Sequence, residues 1–205
     1  MRNFRARAIL RGTILAGTIF VAGNALLAGC SDGGTDNQQA NVGVQAGPGG
    51  PFRLIDTTGE VVTDQTLRGK PYAIFFGFTR CPDVCPTAMS RMALLHQRLG
   101  AAADRVNIVF VSVDPEHDQR EDIASFLSMF DVPVIGLTGT QEELEQIEKA
   151  YNVYVERVPL PNGDYTIDHT ARILLFDRDG KFAETMDSNA PESKAVAQLK
   201  RLIDA

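Results

Sequence analysis

Basic residues are scarce over most of this chain. The 205 residues include 20 Lys and Arg and 26 Asp and Glu, and four of the arginines lie at or before Arg11. After a leader ending at residue 29, the remainder has 16 basic and 26 acidic residues, a net charge of −10. Because contacts to nucleic-acid phosphates need clustered Lys and Arg, this charge excludes nucleic acid as a partner.

Cysteine is also rare, with Cys30, Cys81 and Cys85 as the three in the sequence. An odd number in an exported chain indicates a thiol outside any internal disulfide. Cys81 and Cys85 are too close in sequence to tie distant parts of a domain together. This pair therefore indicates chemistry rather than stabilisation.

The N-terminal segment lacks the run of roughly 20 apolar residues that a membrane span needs. A basic stretch up to Arg11 precedes an apolar stretch that ends in Leu27-Ala28-Gly29-Cys30. This order is typical of a secretory signal, and its ending matches the bacterial lipobox, in which cleavage precedes an acylated cysteine. We predict a signal peptide over residues 1–29 and lipidation of Cys30. The body would then lie in the cell envelope, lipid-anchored to the membrane and facing the periplasm or the cell exterior. An uncleaved helical anchor is the alternative.

Residues 30–50 have little apolar surface to bury and are rich in Gly, Asn and Gln. Such a composition predicts a flexible, disordered tether. The folding signals begin at Pro51, so residues 51–205 are expected to form one domain.

Two nearly continuous apolar runs, Tyr72 to Phe78 and Val106 to Val113, are typical of strands buried on both faces. The amphipathic segment from Thr87 to Leu99 between them predicts a helix, so the three form a parallel βαβ unit. The other predicted elements are hairpins at 52–63 and 172–186, a strand at 134–137, and helices at 121–130, 142–151 and 191–203. This order predicts an α/β, thioredoxin-like fold with a central mixed sheet flanked by helices.

Cys81 and Cys85 directly follow the first buried strand, where ligand sites of open α/β sheets lie. We expect the helix N-terminus to lower the pKa of Cys85, and Arg80 to add a positive charge that favours the ionised thiols. The three intervening residues, one more than in thioredoxin-type dithiols, let both thiolates face one ion. Soft thiolates select Cu(I), whereas a closed zinc site needs a fourth ligand.

His169 is the candidate for a third ligand. It lies just ahead of the predicted strand that begins at Arg172. In thioredoxin folds the start of that strand faces the cysteine loop and usually carries a cis-proline. Histidine there supplies an imidazole and weakens an oxidoreductase interpretation, although a purely structural histidine is the alternative. Asp168 either orients the imidazole or caps the turn.

Five motifs carry a family resemblance: Phe76–Thr79, Cys81–Pro86, Val111–Pro115, Gly136–Gly139 and Asp164–His169. Together they resemble the Sco/SenC family of copper chaperones for cytochrome c oxidase, from about residue 50 to the C-terminus. The resemblance implies a thioredoxin fold and copper held by two thiolates and an imidazole. It also implies delivery to the binuclear copper site of the oxidase, so the expected partners are its copper-bearing subunit and other copper carriers.

The resemblance assigns the metal ligands to Cys81, Cys85 and His169. Cu(I) is the expected ion, and binding of Cu(II) as well is left open. The family often has histidine where this chain has Arg80, a position that is not a ligand in the family pattern. We expect a metallochaperone rather than an enzyme.

The cysteine spacing also permits a Cys81–Cys85 disulfide in an oxidised form, which would remove the thiolates that copper needs. A thiol–disulfide oxidoreductase acting on the oxidase or another envelope protein is therefore the alternative function, and it would not need His169. A thiol peroxidase that uses Cys81 with Thr79 and Arg80 is a third, but it leaves Cys85 without a role.

Two methionines and two histidines are not expected to bind the metal. Met89 and Met92, one helical turn apart, are expected in the core rather than as thioether ligands. His117 is expected on a solvated surface and His96 in the first helix.

Overall fold

The computed structural model describes residues 47–205. Its strands are β1 (Arg53–Asp56), β2 (Val61–Thr63), β3 (Tyr72–Gly77), β4 (Asn107–Ser112), β5 (Ile135–Thr138), β6 (Val155–Pro159), β7 (Tyr165–His169), β8 (Arg172–Phe176) and β9 (Phe182–Asp187). Its helices are α1 (Val84–Leu99), α2 (Arg120–Leu127), α3 (Gln141–Ala150) and α4 (Glu192–Asp204), with a 3₁₀ helix at Gly100–Arg105. In this part of the chain no helix has the length and apolar character to cross a membrane. The predicted signal peptide, the lipidation of Cys30 and the tether up to residue 46 lie outside the described residues.

Seven strands form one mixed sheet in the order β2-β1-β5-β4-β3-β8-β9. β3, β4 and β5 run parallel, while β8 pairs antiparallel with β3 and β9 with β8. α4 packs against α1, α2 against β5, and α3 against β1. The predicted thioredoxin-like arrangement of a mixed sheet flanked by helices is confirmed.

The centre of the sheet is apolar because β3 and β4 supply consecutive apolar side chains. Every residue of β3 is buried, and in β4 only the first residue is not. Phe75 and Phe110 lie side by side in register. Burying each such side chain contributes about 1.5–3 kcal/mol relative to exposure, so this pair of strands fixes the frame on which the neighbouring loops are held.

Helix α1 begins at Val84, three residues before the predicted start at Thr87. Pro86 is compatible with this earlier start, because proline is tolerated in the first turn, where the N–H groups have no intrahelical partner. Cys85 is consequently a helical residue. A capping box opens α3: Glu143 N–H donates to Thr140 Oγ1 at 3.3 Å and Thr140 N–H to Glu143 Oε2 at 2.9 Å.

A second, two-stranded sheet was not predicted. β6 and β7 pair antiparallel, with Val155 opposite His169 and Pro159 opposite Tyr165. Four of the five β6 residues are exposed, so the segment lacks the apolar alternation that signals a strand. This hairpin matters for function because β7 ends at His169.

Candidate metal centre

The structure brings together the three side chains that the sequence singled out. Cys81 lies in the loop after β3, Cys85 in the first turn of α1, and His169 at the end of β7. Their donor atoms all lie within 4.8 Å of one another, and Cys85 Sγ is 3.5 Å from His169 Nε2. Three donors at about 2.0–2.3 Å from one ion lie at most roughly 4 Å apart when trigonal. The cluster therefore fits one small ion after minor side-chain movement.

His169 is oriented by a backbone carbonyl rather than by the carboxylate of Asp168. Its Nδ1 lies 3.2 Å from Thr170 O. Because a carbonyl only accepts, Nδ1 carries the hydrogen and Nε2 of the neutral ring presents its lone pair to the sulfurs. The ring is also held edge-on by Phe75 and Phe78, with centroids 6.0 and 5.8 Å away.

Burial keeps this imidazole neutral. It lowers the pKa of His169, and the Thr170 carbonyl and the charge of Asp168 oppose the shift only in part. A neutral imidazole is the form that ligates metals.

The prediction that the helix N-terminus lowers the pKa of Cys85 is wrong. Burial raises the pKa of the Cys85 thiol well above its usual value, and a hydrogen bond with the Cys81 thiol adds to the effect. The side chain is fully buried, so desolvation outweighs the helix dipole. A metal that binds here must displace the Cys85 proton.

The helix N-terminus acts instead on the other sulfur. The backbone N–H of Cys85 donates to Cys81 Sγ at 3.3 Å, and the N-cap residue Asp83 makes no capping hydrogen bond with its own side chain. Cys81 is partly exposed, and both cysteines are free thiols in the structure. The two sulfurs thus differ: Cys81 is accessible and receives a helix N–H, whereas Cys85 is enclosed.

Gly77, the last residue of β3, provides the space in which Cys85 lies. A Cβ on Gly77 would lie 2.9 Å from Cys85 Sγ and 2.9 Å from Phe75 Cε1. Ordinary contacts begin near 3.4 Å, so any larger residue would displace the sulfur. The glycine is required by close approach, not by its backbone conformation.

Arg80 does not act as an unpaired positive charge beside the thiols, contrary to expectation. Its guanidinium pairs with Asp164 at 2.9 Å and Asp114 at 3.4 Å, and it donates to Tyr165 O at 3.4 Å. Two carboxylates therefore offset its charge. The pairing with Asp164 connects the cysteine loop to the hairpin that carries His169.

A buried polar cluster behind the cysteine loop was also missed. The fully buried Asp114 carboxylate accepts from Tyr165 Oη at 2.5 Å and lies 3.1 Å from His117 Nδ1. His117, expected on a solvated surface, is only partly exposed and interacts with both Arg80 and Asp114. The position of Asp114, just beyond the carboxyl end of β4, was the available signal.

A second buried carboxylate, that of Asp118, holds the residue at the start of the loop. Asp118 accepts from Thr79 Oγ1 and Ser112 Oγ, both at 2.6 Å, and from Thr79 N–H at 2.9 Å. Burial raises the pKa of Asp118 despite these hydrogen bonds. Since Thr79 directly precedes Arg80 and Cys81, its hydroxyl is used to anchor the loop and is not free to assist the Cys81 sulfur.

The predictions for the methionines and the histidine of α1 agree with the structure. Met89 and Met92 are buried in the core, as expected. His96 lies in the same helix, with its buried Nε2 lacking a hydrogen-bond partner among residues 47–205.

An open groove of about 200 Å³ borders the cluster. One wall is Phe78 with residues 81–84, and the other is residues 166–169 with Ala171. We call it the site groove. It gives a second molecule access to Cys81 and His169.

Comparison with known proteins identifies relatives of this chain. The sequence model of the SCO1/SenC family matches residues 42–204. The human protein "Protein SCO1 homolog, mitochondrial" is 37% identical over 154 residues, which cover 74% of this chain and 51% of the human protein. The chain spans about half the length of the first curated relatives that it matches.

Solved structures of Sco proteins are also similar to this chain. ScoI of Bradyrhizobium japonicum with copper bound is 46% identical, with a TM-score of 0.71, covering 76% of this chain and 99% of that one. BsSco, described as a member of the Sco family of cytochrome c oxidase assembly proteins with a disulfide switch, is 26% identical. Its TM-score is 0.64, and the match covers 78% of this chain and 95% of BsSco.

Proposed function

Because this chain belongs to the SCO1/SenC family, we propose that it is a copper metallochaperone that delivers copper to the binuclear copper site of cytochrome c oxidase. Copper is the cargo, held by Cys81, Cys85 and His169. The observation that carries the proposal is the convergence of two sulfurs and one imidazole nitrogen within 4.8 Å beside an open groove.

The donor chemistry supports copper as the ion. Two thiolates and a neutral imidazole are soft to intermediate ligands, which favour Cu(I) and also accept Cu(II). A structural zinc site would need a fourth protein ligand, and the described residues place three candidate donors together here. Three donors beside a groove leave room for an incoming ligand, which suits transfer better than storage.

Redox chemistry supplies a way to switch binding off. In the oxidised form we propose a Cys81–Cys85 disulfide, which offers no thiolate to copper. Forming it removes two protons and two electrons from the thiols and requires an external oxidant. The disulfide switch described for BsSco supports this step by relationship.

The oxidoreductase alternative receives less support from the same geometry. An exchange enzyme would use Cys81 and Cys85 and would not need a histidine beside them, yet His169 Nε2 lies 3.5 Å from Cys85 Sγ. His169 stands where thioredoxin-type enzymes usually have proline. The peroxidase alternative is also weakened, since Thr79 Oγ1 is bonded to Asp118 and Arg80 to Asp164 and Asp114.

We also propose that the chain is anchored in the cell envelope by lipid on Cys30 and faces the periplasm or cell exterior. The lipobox sequence supports this, as does the likeness to a SCO1/SenC family lipoprotein of Bacillus anthracis. Mass spectrometry of the mature protein should find a lipid-modified Cys30 at its N-terminus. An intact segment from Met1 to Gly29 in the envelope would indicate a helical anchor instead.

The copper proposal is tested by titrating the reduced chain with Cu(I) against a competing chelator. Wild type should bind one ion per chain, and C81S, C85S and H169A should each bind at least about tenfold more weakly, because each removes a ligand. His96→Gln is the matched control, since His96 lies outside the cluster. Full uptake by the double cysteine variant would contradict the proposal.

Delivery is tested with the copper-bearing domain of the oxidase subunit as the acceptor. Loaded wild type should pass copper to it, whereas loaded chain that is then oxidised should have none to pass. Wild type that binds copper but never transfers it would refute the chaperone role while leaving the metal site intact.

A further inference from the structure

Among residues 47–205, part of one backbone edge of the small hairpin has no pairing strand. In β6–β7, Thr170 N–H donates to Tyr154 O and Leu160 N–H to Asp164 O. Because hydrogen-bonded pairs alternate along an antiparallel ladder, Asp164, Thr166 and Asp168 direct their N–H and C=O groups towards β6. The backbone groups of Tyr165, Ile167 and His169 therefore point away from it.

Only part of this outer edge is free. Tyr165 N–H donates to Asp164 Oδ1 at 2.7 Å, and Tyr165 O accepts from Arg80. Within residues 47–205, the backbone N–H and C=O groups of Ile167 and His169 have no hydrogen-bond partner. At about 3.3 Å per residue, they form a short open edge of roughly 7 Å.

The open edge faces the site groove. Residues 166–169 are consecutive, and all four line the groove. Side chains on a strand alternate between its two faces. A groove that touches four consecutive residues therefore runs along the edge of the strand, where their backbone groups lie. The opposite wall includes the exposed Val84, so a chain in the groove would pack against an apolar surface.

The other edge of the hairpin is blocked. Pro159 of β6 pairs with Tyr165, a position whose N–H would point outwards, and proline has none to offer. Proline at an edge is a common means of preventing strand addition. The hairpin is thus closed to strand pairing at Pro159 on its β6 side and open on its β7 side, beside the metal cluster.

The groove also carries charge of one sign. Asp83 and Asp168 line it and both are exposed, and no Lys or Arg among residues 47–205 lines it. An added chain should therefore be cationic.

We propose that the partner protein binds through an extended, positively charged segment that adds as a third strand to the open edge of β7 at Ile167 and His169. This deepens the proposed function and rests on it: a Cys or Met of that segment, set beside His169, would be the group that accepts copper. The main-chain pairing fixes the register, and so places the accepting sulfur without requiring a particular side-chain sequence.

The test attaches a probe of defined chemistry, so that weak pairing can be observed. The peptide Ac-Lys-Val-Cys-Val-Lys-amide, activated as its thiopyridyl disulfide, is reacted with the reduced C85S chain. The Cys81 thiolate attacks the peptide sulfur, a mixed disulfide forms, and thiopyridone leaves. The linkage holds the peptide at the groove at about millimolar effective concentration.

Hydrogen exchange of the β7 amides, followed by NMR, is the readout. The amides of Ile167 and His169 should exchange at least about tenfold more slowly once the peptide is attached. Those of Thr166 and Asp168, already bonded to β6, should be unchanged and serve as internal controls. Uniform protection, or none, would overturn the proposal.

Peptide variants test the same idea without altering the fold of the protein. N-methylation at residues that face β7 should abolish the protection, whereas N-methylation at alternate residues should preserve it. Glu in place of both Lys should weaken it. Equal effects of all N-methyl positions would refute strand addition.

A proline pair tests the protein side. Ile167→Pro removes one outward N–H without breaking a bond to β6, but it also removes a buried apolar side chain, so Ile167→Ala is its matched control. Protection of His169 should be abolished by Ile167→Pro and retained in Ile167→Ala and in Val155→Pro, which lies at an outward position of β6. Cu(I) affinity of the wild type is measured separately. Normal copper binding without the exchange pattern would reject the docking edge alone, and loss of copper binding would reject the proposed function.

Discussion

Replacing Gly77 with alanine should disturb the metal cluster by displacing the Cys85 sulfur. The added Cβ would lie 2.9 Å from Cys85 Sγ, so the sulfur must withdraw by about half an ångström to reach ordinary contact. Phe75 and Phe110 close the other directions, at 2.9 and 3.1 Å. Overpacking of this kind costs about 1–3 kcal/mol of folding free energy. A displacement of about 0.5 Å also exceeds what a preorganised site tolerates, so we expect Cu(I) binding to weaken by about tenfold or more.

The chain offers a matched control in Gly136 of β5. A Cβ there would lie 2.5 Å from Leu127 Cδ1 and 2.8 Å from Ile123 Cγ2, an overpacking at least as severe but away from the cluster. Urea unfolding should show a loss of stability for both variants. Competition titration with Cu(I) on the folded proteins should show weaker binding for Gly77→Ala alone.

Two results would refute this reasoning. If Gly77→Ala loses stability but binds copper as wild type does, the position of the Cys85 sulfur does not matter to the metal. If both variants lose copper affinity equally, general loosening of the fold is responsible rather than displacement of one ligand.

Three shorter predictions follow from the same site. Iodoacetamide should label Cys81 before Cys85 in the reduced, copper-free chain, because burial raises the pKa of Cys85; equal rates by peptide mass spectrometry would contradict this. Asp164→Asn should weaken Cu(I) binding by about tenfold with little change in Tm, since it breaks the partly exposed ion pair that connects the loop to the hairpin, whereas Arg80→Met should also lower Tm because it takes a cationic partner from the buried Asp114. Because burial lowers the pKa of His169, the unfolded chain binds a proton more readily, so unfolding free energy should fall as the pH drops below about 6.5. Urea titrations should show a smaller fall for His169→Gln, and an identical slope would contradict the assignment.

The central sheet could be predicted because its signals are local. β3 and β4 are unbroken apolar runs, and the capping box of α3 lies within four residues. The grouping of the three donors was also accessible, since the cysteine pair follows a buried strand and His169 precedes another. Each of these patterns needs only the residues beside it and the general geometry of an α/β sheet.

The surroundings of the three donors could not be predicted from the sequence. The raised pKa of Cys85 results from enclosure by residues of β3 and β4, and the partners of Arg80 lie 34 and 84 residues further along the chain. Asp118 likewise holds Thr79 across a separation of 39 residues. Such pairings depend on tertiary packing, which periodicity does not reveal. The β6–β7 hairpin was missed because it is exposed and includes Pro159.

The distance in sequence between the donors determines the order in which the chain folds and completes its copper site. Cys85 and His169 meet across 84 residues, so an unfolded chain presents only the neighbouring pair of thiols. The third donor arrives when the hairpin has formed and packed beside the completed sheet. Binding of copper by all three donors therefore follows folding, and the ion stabilises the native chain to the extent that it prefers this set of donors over the two thiols of the unfolded chain. A chain whose hairpin has not yet formed would offer copper only the pair of thiols.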